Sequence, residues 1–401
     1  MKDYIKFFEE FLKKEIDYDN PKNLYEPVKY LLDSGGKRLR PLITLFVSDL
    51  FTGNITNALS ASAALEIFHN FTLAHDDIMD NSIMRRGKKT INSKWDNNTG
   101  ILSGDVMLII SYEILNKYDE SKYILLSKQL TQTSRLVCEG QQNDMDFSLK
   151  KDVLEADYFE MIENKTAVLI GCSFMFGGIV SDLNTKNVNV LYEVGKNLGI
   201  AFQLEDDLLD CFGDEAKFGK KIGGDILEKK KTLLYIYTQA NLDNNKRVEF
   251  ENIFFSDHSK ESIKIDTIKS FYETSGAVEY LKNKVQEYSE HAKKLVNQMQ
   301  IDATSPNELP DIDSYTALMN AYIEEQQSLI SIIESEVNEI KSDVNATMPN
   351  IQCSKSNEEG TVTITCLAEK VHDLLIQMED YSGVSDHYSS MKLSGLGSVP
   401  I

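Results

Sequence analysis

Proline is scarce in this chain, and its scarcity excludes a structure with frequent helix breaks. Only seven prolines occur in 401 residues, and three of them lie before residue 300. Apolar residues recur at intervals of three and four from Tyr4 to about Met299, without a convincing run of alternating apolar and polar residues. Because proline disrupts helix interiors, this pattern predicts an all-α domain over residues 1–300.

Cysteine is rare as well, and the cysteines are scattered. Five are too few and too dispersed for a disulfide framework or a zinc site, so we expect buried free thiols. They are Cys138, Cys172, Cys211, Cys353 and Cys366.

Long apolar runs are missing. The longest uncharged apolar stretch, Thr166 to Val180, is shorter than the roughly 20 residues of a membrane span, so we expect a core helix and no membrane span. The start of the chain, MKDYIKFFEEFLKKEI, alternates charges with aromatics and predicts an amphipathic helix rather than a signal sequence. These features together predict a cytoplasmic protein.

Positive charge is in short supply. The formal net charge is −21, which argues against nucleic acid and anionic membrane surfaces as partners. If the ligand is itself an anion, positive charge must be concentrated locally or supplied by metal ions.

The spacing Asp-Asp-x-x-Asp occurs twice, as DDIMD at residues 76–80 and DDLLD at 206–210. Residues four apart share a helix face, so Asp76 pairs with Asp80, and Asp206 with Asp210. Paired carboxylates in apolar helices need a cation. Mg²⁺ is commonly held by one or two carboxylates together with substrate phosphates, so two opposed faces predict a magnesium–diphosphate clamp. A surface acidic cluster would explain one motif but not two.

Basic residues lie close to both acidic motifs in the sequence. Arginine and lysine bind diphosphates directly, so their placement supports an anion site, although each alone could be a solvated surface charge. The clusters are Lys37, Arg38 and Arg40 in SGGKRLRP, Arg85 and Arg86 after the first motif, Lys165 before the apolar helix, and Lys220, Lys230 and Lys231 after the second motif.

The combined pattern resembles the trans-isoprenyl diphosphate synthases of the farnesyl and geranylgeranyl diphosphate synthase type. The stretches that carry the resemblance run in the order of that family through about residue 300. They are GGKRLRP (35–41), LEIFHNFTLAHDDIMD with MRRG (65–87), LSGD (102–105), EGQQNDMDF (139–147), NKTAVLI (164–170), and GKNLGIAFQLEDDLLD with FGKKIGGDILEKKKTL (195–233). The resemblance implies an isoprenoid synthase helical bundle around a central cavity, and a homodimer.

The resemblance also implies roles for individual residues. It assigns the two motifs to about three Mg²⁺ ions, held chiefly by Asp76, Asp80 and Asp206. An allylic diphosphate would meet the metals, and isopentenyl diphosphate would lie beside it. The implied catalytic residues are Asp76, Asp77, Asp80, Arg85, Lys165, Asp206, Asp207, Asp210 and Lys220; the implied substrate contacts are Lys37, Arg40, His69, Arg86, Thr166, Gln203, Lys230 and Phe71. Helical angle adds Phe68 as a further candidate substrate contact. One departure is Leu234, where family members often have proline.

The expected reaction is a head-to-tail condensation. Ionisation of the allylic diphosphate gives a carbocation and a departing pyrophosphate, whose charge metal, Arg and Lys stabilise. The isopentenyl double bond then attacks the cation, and the proton that is lost afterwards goes to the pyrophosphate, as the resemblance implies. A terpene cyclase on the same fold is the first alternative, although cyclases typically lack the basic elements at Lys37, Arg40 and Arg86. A non-catalytic subunit or scaffold is the second, plausible for the end of the chain.

Product length depends on what blocks the cavity below the metal site. Phe68 and Phe71 lie eight and five residues before Asp76. At 100° per residue, the helical angle favours Phe68 as the floor, whereas the family resemblance favours Phe71. A bulky residue at either level predicts a farnesyl or geranylgeranyl product.

The composition changes after residue 300. Residues 301–401 contain no Phe, Trp or Arg, with 17 acidic residues against 4 lysines. We predict a linker at 301–313 and an acidic helical module at 314–401. Its heptad spacing from Met319 to Val344 fits a local helical hairpin or an oligomerising coiled coil, and a protein-binding role.

Overall fold

The computed structural model describes residues 2–150, 152–213, 222–256, 260–296 and 299. Within them the chain is helical almost throughout, so the all-α prediction is confirmed. The α-helices run Lys2–Glu15 (α1), Lys22–Leu32 (α2), Leu39–Thr52 (α3), Leu59–Met79 (α4), Ile91–Lys94 (α5), Asn97–Glu113 (α6), Glu120–Leu149 (α7), Glu155–Ile162 (α8), Val168–Val180 (α9), Thr185–Phe212 (α10), Gly224–Leu227 (α11), Leu233–Asn241 (α12), Asn244–Phe254 (α13), Glu261–Thr274 (α14) and Ala277–Val296 (α15).

Shorter elements connect these helices. Two 3₁₀ turns, Thr56–Ala58 and Ile114–Lys117, precede α4 and follow α6, and a π-helical turn, Glu163–Ala167, joins α8 to α9. Strands Met84–Arg85 (β1) and Lys88–Lys89 (β2) form one antiparallel hairpin. Strands of two residues are too short to leave an alternating pattern in the sequence.

Acidic and amide side chains begin several of the long helices. A carboxylate or amide oxygen at the N-cap accepts a hydrogen bond from a free backbone N–H of the first turn. Asp96 accepts from the Thr99 amide at 2.7 Å, before α6, and Asn184 accepts from the Asn187 amide at 2.9 Å, before α10. These caps fix where α6 begins and where α10, which carries the second aspartate motif, begins.

Helices α4, α9 and α10 form the centre of the fold. Helix α9 is apolar on every side and almost entirely buried, as expected of a helix surrounded by others. Helix α10 packs along it at close range, since a Cβ atom at Gly195 would lie 2.6 Å from the Cα atom of Gly171. Larger side chains at this crossing would push α10, which carries the second aspartate motif, away from α9, which follows the π turn of Lys165.

Among the described residues, the buried apolar side chains form two large clusters and a smaller third one, which joins α3 and α9 to α10 and α15 around Val47 and Phe174. One cluster joins α1 to α7 with α9, around residues such as Phe68 and Leu65. Another joins α8 and α10 to α15, around aromatic residues such as Tyr158, Phe250 and Tyr272. The acidic motifs lie on α4, whose buried residues belong to the first cluster, and on α10, which contributes to the second.

One prediction about the cysteines needs correction, and the predictions for the end of the chain lie outside the described residues. Cys172 and Cys211 are buried free thiols, but Cys138 is exposed, because it lies 100° around α7 from the buried Val137. The predicted core helix begins regularly at Val168, after the π turn. No described helix combines the length and apolarity needed to cross a membrane. The predicted linker and C-terminal module, with Cys353 and Cys366, lie outside the described residues.

Candidate active site

The first aspartate motif ends helix α4, and its middle aspartate turns inward. Asp77 lies 100° around the helix from Asp76 and is 1% exposed. Its Oδ1 atom accepts a 2.8 Å hydrogen bond from Arg85 Nε, while Arg85 Nη2 lies 3.2 Å from Asp76 Oδ2. Burial raises the pKa of Asp77, and the Arg85 charge opposes that rise. Strand β1 thus folds Arg85 back onto the motif, while Asp80 remains exposed at the helix end.

Lys165 reaches the same motif from the π-helical turn. Its Nζ atom lies 2.6 Å from Asp144 Oδ2 on α7 and 3.8 Å from Asp76 Oδ1. Burial opposes the lysine charge, but Asp144 and Asp76 outweigh it and raise the pKa of Lys165. Gly140 allows this approach, since a Cβ atom there would lie 2.2 Å from the Lys165 backbone nitrogen.

The second motif also turns its middle aspartate inward, on the face of α10 toward α8. Asp207 is 5% exposed. It accepts hydrogen bonds from the Tyr158 hydroxyl at 2.6 Å and from Gln203 Nε2 at 2.9 Å, and Gln203 Oε1 accepts one from the Thr166 hydroxyl at 2.9 Å. Burial, followed by repulsion from Asp225, raises the pKa of Asp207 well above its usual range. Asp206 is exposed and Asp210 half-buried.

Lys230 links the two motifs electrostatically. Its Nζ atom lies 3.4 Å from Asp225 Oδ1, and the Asp225 amide donates a 2.9 Å hydrogen bond to Asp210 Oδ2. On the other side, the Lys230 charge offsets part of the rise that burial and Asp76 cause in the pKa of Asp80. Both motifs therefore lie within the field of the same lysine, as a shared anion site requires.

The acidic residues suit magnesium only in company with a ligand. Among the described residues, no three His, Cys, Asp or Glu side chains are grouped closely enough to hold a metal ion unaided. The Oδ1 atom of Asp76 is nevertheless buried without a hydrogen-bond donor, which leaves it available for a cation. Because Mg²⁺ in proteins keeps several waters and binds one or two carboxylates plus phosphates, the donor set fits such a site.

A separate basic pocket lies on the other side of Arg85. The Arg86 guanidinium donates to the Gly35 carbonyl, and a Cβ atom at Gly36, where φ is 123°, would lie 2.6 Å from Arg86 Cζ. Arg40 Nη1 lies 3.2 Å from His69 Nε2. Since arginine can only donate, this contact assigns the His69 proton to Nδ1.

Burial and the repulsion between neighbouring cations lower the pKa values of the basic side chains in this pocket. Burial, then the neighbouring Arg40 and Arg86, lower the pKa of His69 well below its usual value, so the imidazole is neutral. Burial also lowers the pKa of Arg40 to about 10, with a further contribution from Arg86. Cations this close together, with few carboxylates to offset their charge, favour an anionic ligand. The exposed Lys37 lies on the same loop as Gly35 and Gly36.

Comparison with known sequences decides the family. The sequence model described as polyprenyl synthetase matches residues 21–272, which is more than half of the chain. The chain belongs to the polyprenyl synthetase family.

Individual relatives and solved structures of the polyprenyl synthetase family support the same assignment. The chain is 42% identical over 241 residues to a geranylgeranyl diphosphate synthase of Saccharolobus solfataricus. The aligned region covers 59% of this chain and 73% of that protein. It is 36% identical to a geranylgeranyl pyrophosphate synthase of Geoglobus acetivorans, over 79% of this chain and 97% of that one. The crystal structure of geranylgeranyl pyrophosphate synthetase from Pyrococcus horikoshii matches with a TM-score of 0.72 at 30% identity, over 80% of this chain and 96% of that one. The predicted family and fold class are confirmed.

Sequence reasoning missed several polyprenyl synthetase residues that the structure brings into the site. Asp144 and Asp225 supply the carboxylates that hold Lys165 and Lys230, and Tyr158 holds Asp207. Glu66 forms a buried 2.6 Å ion pair with Arg38 Nη1. Asp144 and Asp225 stand within the quoted stretches, where a search for carboxylates near basic residues could have found them. The partners of Tyr158 and Glu66 lie too far away in sequence to leave a signal.

Two predicted residues near the site remain to be placed. Phe68 and Phe71 are both buried, with ring centroids 5.4 Å apart, so they form one aromatic layer below the first motif. The geometry does not separate the two alternatives for a chain-length floor. Lys220 lies outside the described residues.

Proposed function

We propose that the protein condenses isopentenyl diphosphate head-to-tail with an allylic diphosphate. The product is a short to medium chain trans-prenyl diphosphate, and pyrophosphate is released. The observation that carries this proposal is the placement of two aspartate motifs around Lys165 and Lys230, directly beside the basic pocket of Arg40, His69 and Arg86. One region suits a metal-bound diphosphate and the other a second diphosphate without metal.

The allylic diphosphate would lie between the two motifs. Asp76, Asp80 and Asp206 would hold about three Mg²⁺ ions, which supply positive charge to the departing pyrophosphate. Lys165 and Lys230 are already fixed by carboxylates at this position, so they stabilise the same charge without rearrangement. Family membership supports a divalent metal, and the number of ions is our proposal.

Isopentenyl diphosphate would lie in the basic pocket. Lys37, Arg40 and Arg86 would bind its phosphates, as arginine forks do. Neutral His69 would donate from Nδ1 or orient Arg40 through Nε2. The Thr166–Gln203–Asp207 hydrogen-bond chain gives Gln203 a fixed orientation beside the reaction centre, where stray water would quench a carbocation.

The product is proposed to be geranylgeranyl diphosphate. The aromatic layer of Phe68 and Phe71 would limit the depth of the proposed substrate cavity, and several relatives are named for this product. Others are geranylfarnesyl diphosphate synthases, so the limit depends on individual side chains. Replacement of Phe71 or Phe68 by alanine, with chromatography of the dephosphorylated products, should lengthen the chain for whichever ring is the floor.

We also propose a homodimer. Helix α6 exposes Leu102 and Ile109 on one face, at 57% and 63%, beside Ile101 at 45%. A monomer rarely leaves a contiguous apolar patch of this kind uncovered. Light scattering of the Ile109→Asp variant should show a monomer if α6 forms the interface, and an unchanged dimer would move the interface elsewhere.

The remaining proposals concern location and the end of the chain. A cytoplasmic location is supported by the free thiols Cys138, Cys172 and Cys211, since such thiols persist in reducing compartments. Residues 314–401 are proposed to bind a protein partner or to assist oligomerisation, on the strength of their heptad spacing alone.

The deciding experiment mixes purified protein with Mg²⁺, isopentenyl diphosphate and each allylic primer in turn. A longer linear diphosphate is the expected product, and it should disappear when Mg²⁺ is omitted. A cyclic hydrocarbon made from the allylic diphosphate would instead identify a cyclase. The absence of any product with every primer would identify a non-catalytic subunit.

A further inference from the structure

A cavity of about 280 Å³ lies outside the proposed active site, between α1, α2 and the loop after α2. Its lining includes Glu9 and Leu12 on α1, Leu32 on α2, and Arg38 on the loop. None of these residues belongs to the proposed metal or substrate contacts.

Arg38 directs an unsatisfied donor toward this lining. Its side chain is 3% exposed; Nη1 lies 2.6 Å from Glu66 and Nη2 donates to the Leu32 carbonyl at 2.5 Å. The Nε atom is buried without a hydrogen bond, and Glu9 Oε1 is 3.7 Å from it, beyond hydrogen-bond distance. A buried donor left unpaired is costly, so a ligand acceptor would be favoured here.

The charges of the lining exclude a strongly anionic ligand. Glu9 and Asp33 stand against Lys13, Lys29 and Arg38, and Lys29 already pairs with Asp19 at 2.9 Å. A phosphate would therefore meet two carboxylates with little free positive charge.

A hydroxyl group matches both polar atoms, because it can accept from Arg38 Nε and donate to Glu9. A hydroxyl that bridges two atoms at ordinary distances holds them about 4.5 Å apart. Glu9 must therefore retreat by a little under ~1 Å. Its side chain is 41% exposed, which leaves room for that movement.

Three aliphatic side chains give the cavity an apolar part beside its charged residues. Leu12, Ile16 and Leu32 are each 4% exposed and present hydrocarbon to the cavity. We propose that this cavity binds a short aliphatic alcohol, with its hydroxyl between Arg38 and Glu9 and its chain against the three apolar side chains. The site does not depend on the proposed reaction.

The test is a ligand-observed NMR titration of the full chain with geraniol, a ten-carbon alcohol. Saturating geranyl diphosphate is present to occupy the proposed active site. Saturable binding is expected. Geranyl methyl ether, which accepts but cannot donate to Glu9, should bind about fivefold more weakly, the ratio that one ordinary hydrogen bond gives.

A pair of variants locates the binding. Leu12→Phe fills the cavity and should weaken geraniol binding at least tenfold, whereas Lys6→Phe adds the same ring at an exposed position of α1 and should not. Should Leu12→Phe fail to fold, the alcohol–ether comparison on the unaltered protein still decides. No saturable binding, equal binding of alcohol and ether, or undiminished binding to folded Leu12→Phe would each overturn the proposal.

Discussion

The two aspartate motifs share one spacing but neutralise their buried charge differently. In the first, the inward aspartate, Asp77, pairs with the Arg85 guanidinium. In the second, the inward Asp207 accepts hydrogen bonds only from the neutral groups of Tyr158 and Gln203 among the contacts described. The shared spacing therefore fixes which carboxylates face the ligand, while the surrounding helices decide how the middle one is stabilised.

This difference has an energetic consequence. An ion pair with both partners in place is sensitive to removal of one charge, because the other charge is left behind. A carboxylate surrounded by neutral donors carries the cost of its own burial, which is why the pKa of Asp207 is raised so far. The first motif should thus depend on charge for its integrity and the second on hydrogen-bond geometry.

The largest expected effect is on catalysis, where the motifs should behave alike. Asp76→Ala and Asp206→Ala should each lower kcat by about 10³-fold or more, because each removes a carboxylate from the proposed metal site. Circular dichroism should show both variants folded. Steady-state assays with saturating Mg²⁺ provide the measurement.

A control for these variants is Asp266→Ala, which removes an exposed aspartate of α14 and should leave kcat within twofold. If Asp76→Ala or Asp206→Ala retained near-normal turnover, that motif would not be a metal clamp.

The inward aspartates should differ in stability. Asp77→Asn removes the buried one of the two carboxylates that pair with Arg85 and leaves only Asp76. It should lower the free energy of unfolding by about 1–3 kcal/mol, discounted because Arg85 is 27% exposed. Asp207→Asn removes a buried charge while keeping an oxygen for Tyr158, and should cost about 1 kcal/mol or less. Urea denaturation of both variants measures the difference, and a larger loss for Asp207→Asn would reverse our comparison.

The smallest expected effect is on the pH dependence of the unfolding free energy, and it comes from His69 in the basic pocket. The folded pKa of His69 lies well below its unfolded value, so the unfolded chain binds the extra proton first and stability is lost as pH falls below about 6.5. His69→Gln should remove this loss, amounting to about 1 kcal/mol between pH 7 and 5.5. Unfolding free energies across that range provide the measurement, with exposed His291→Gln as the control.

An unchanged pH dependence in His69→Gln would show that His69 is not held neutral by Arg40 and burial. The neutral imidazole assigned to the isopentenyl diphosphate pocket would then be wrong.

The sequence predicted the parts of this site that follow from helix periodicity. Asp76 and Asp80 had to share a face once α4 was a helix. The inward turn of Asp77 and Asp207 agrees with the 100° step per residue but was not predicted. The π-helical turn at Glu163–Ala167 was not predicted, because helical periodicity does not reveal it, and its close approach to Gly140 on α7 is seen only in the folded chain.

Contacts between elements that are far apart in the sequence could not be predicted either. Glu66 is the one acidic residue in the apolar first half of α4, and only the folded chain reveals Arg38 beside it. Cys138 was expected inside like the other cysteines, although one residue of rotation along α7 from the buried Val137 puts it on the surface.

The most direct test of the central claim is a double-mutant cycle on Mg²⁺-dependent binding of inorganic pyrophosphate, measured by calorimetry. Asp76→Ala and Asp206→Ala should each weaken binding strongly, and the double variant should lose far less than the sum, because both motifs hold the same bound group. Strictly additive losses, or full affinity in either single variant, would contradict a shared magnesium–diphosphate site.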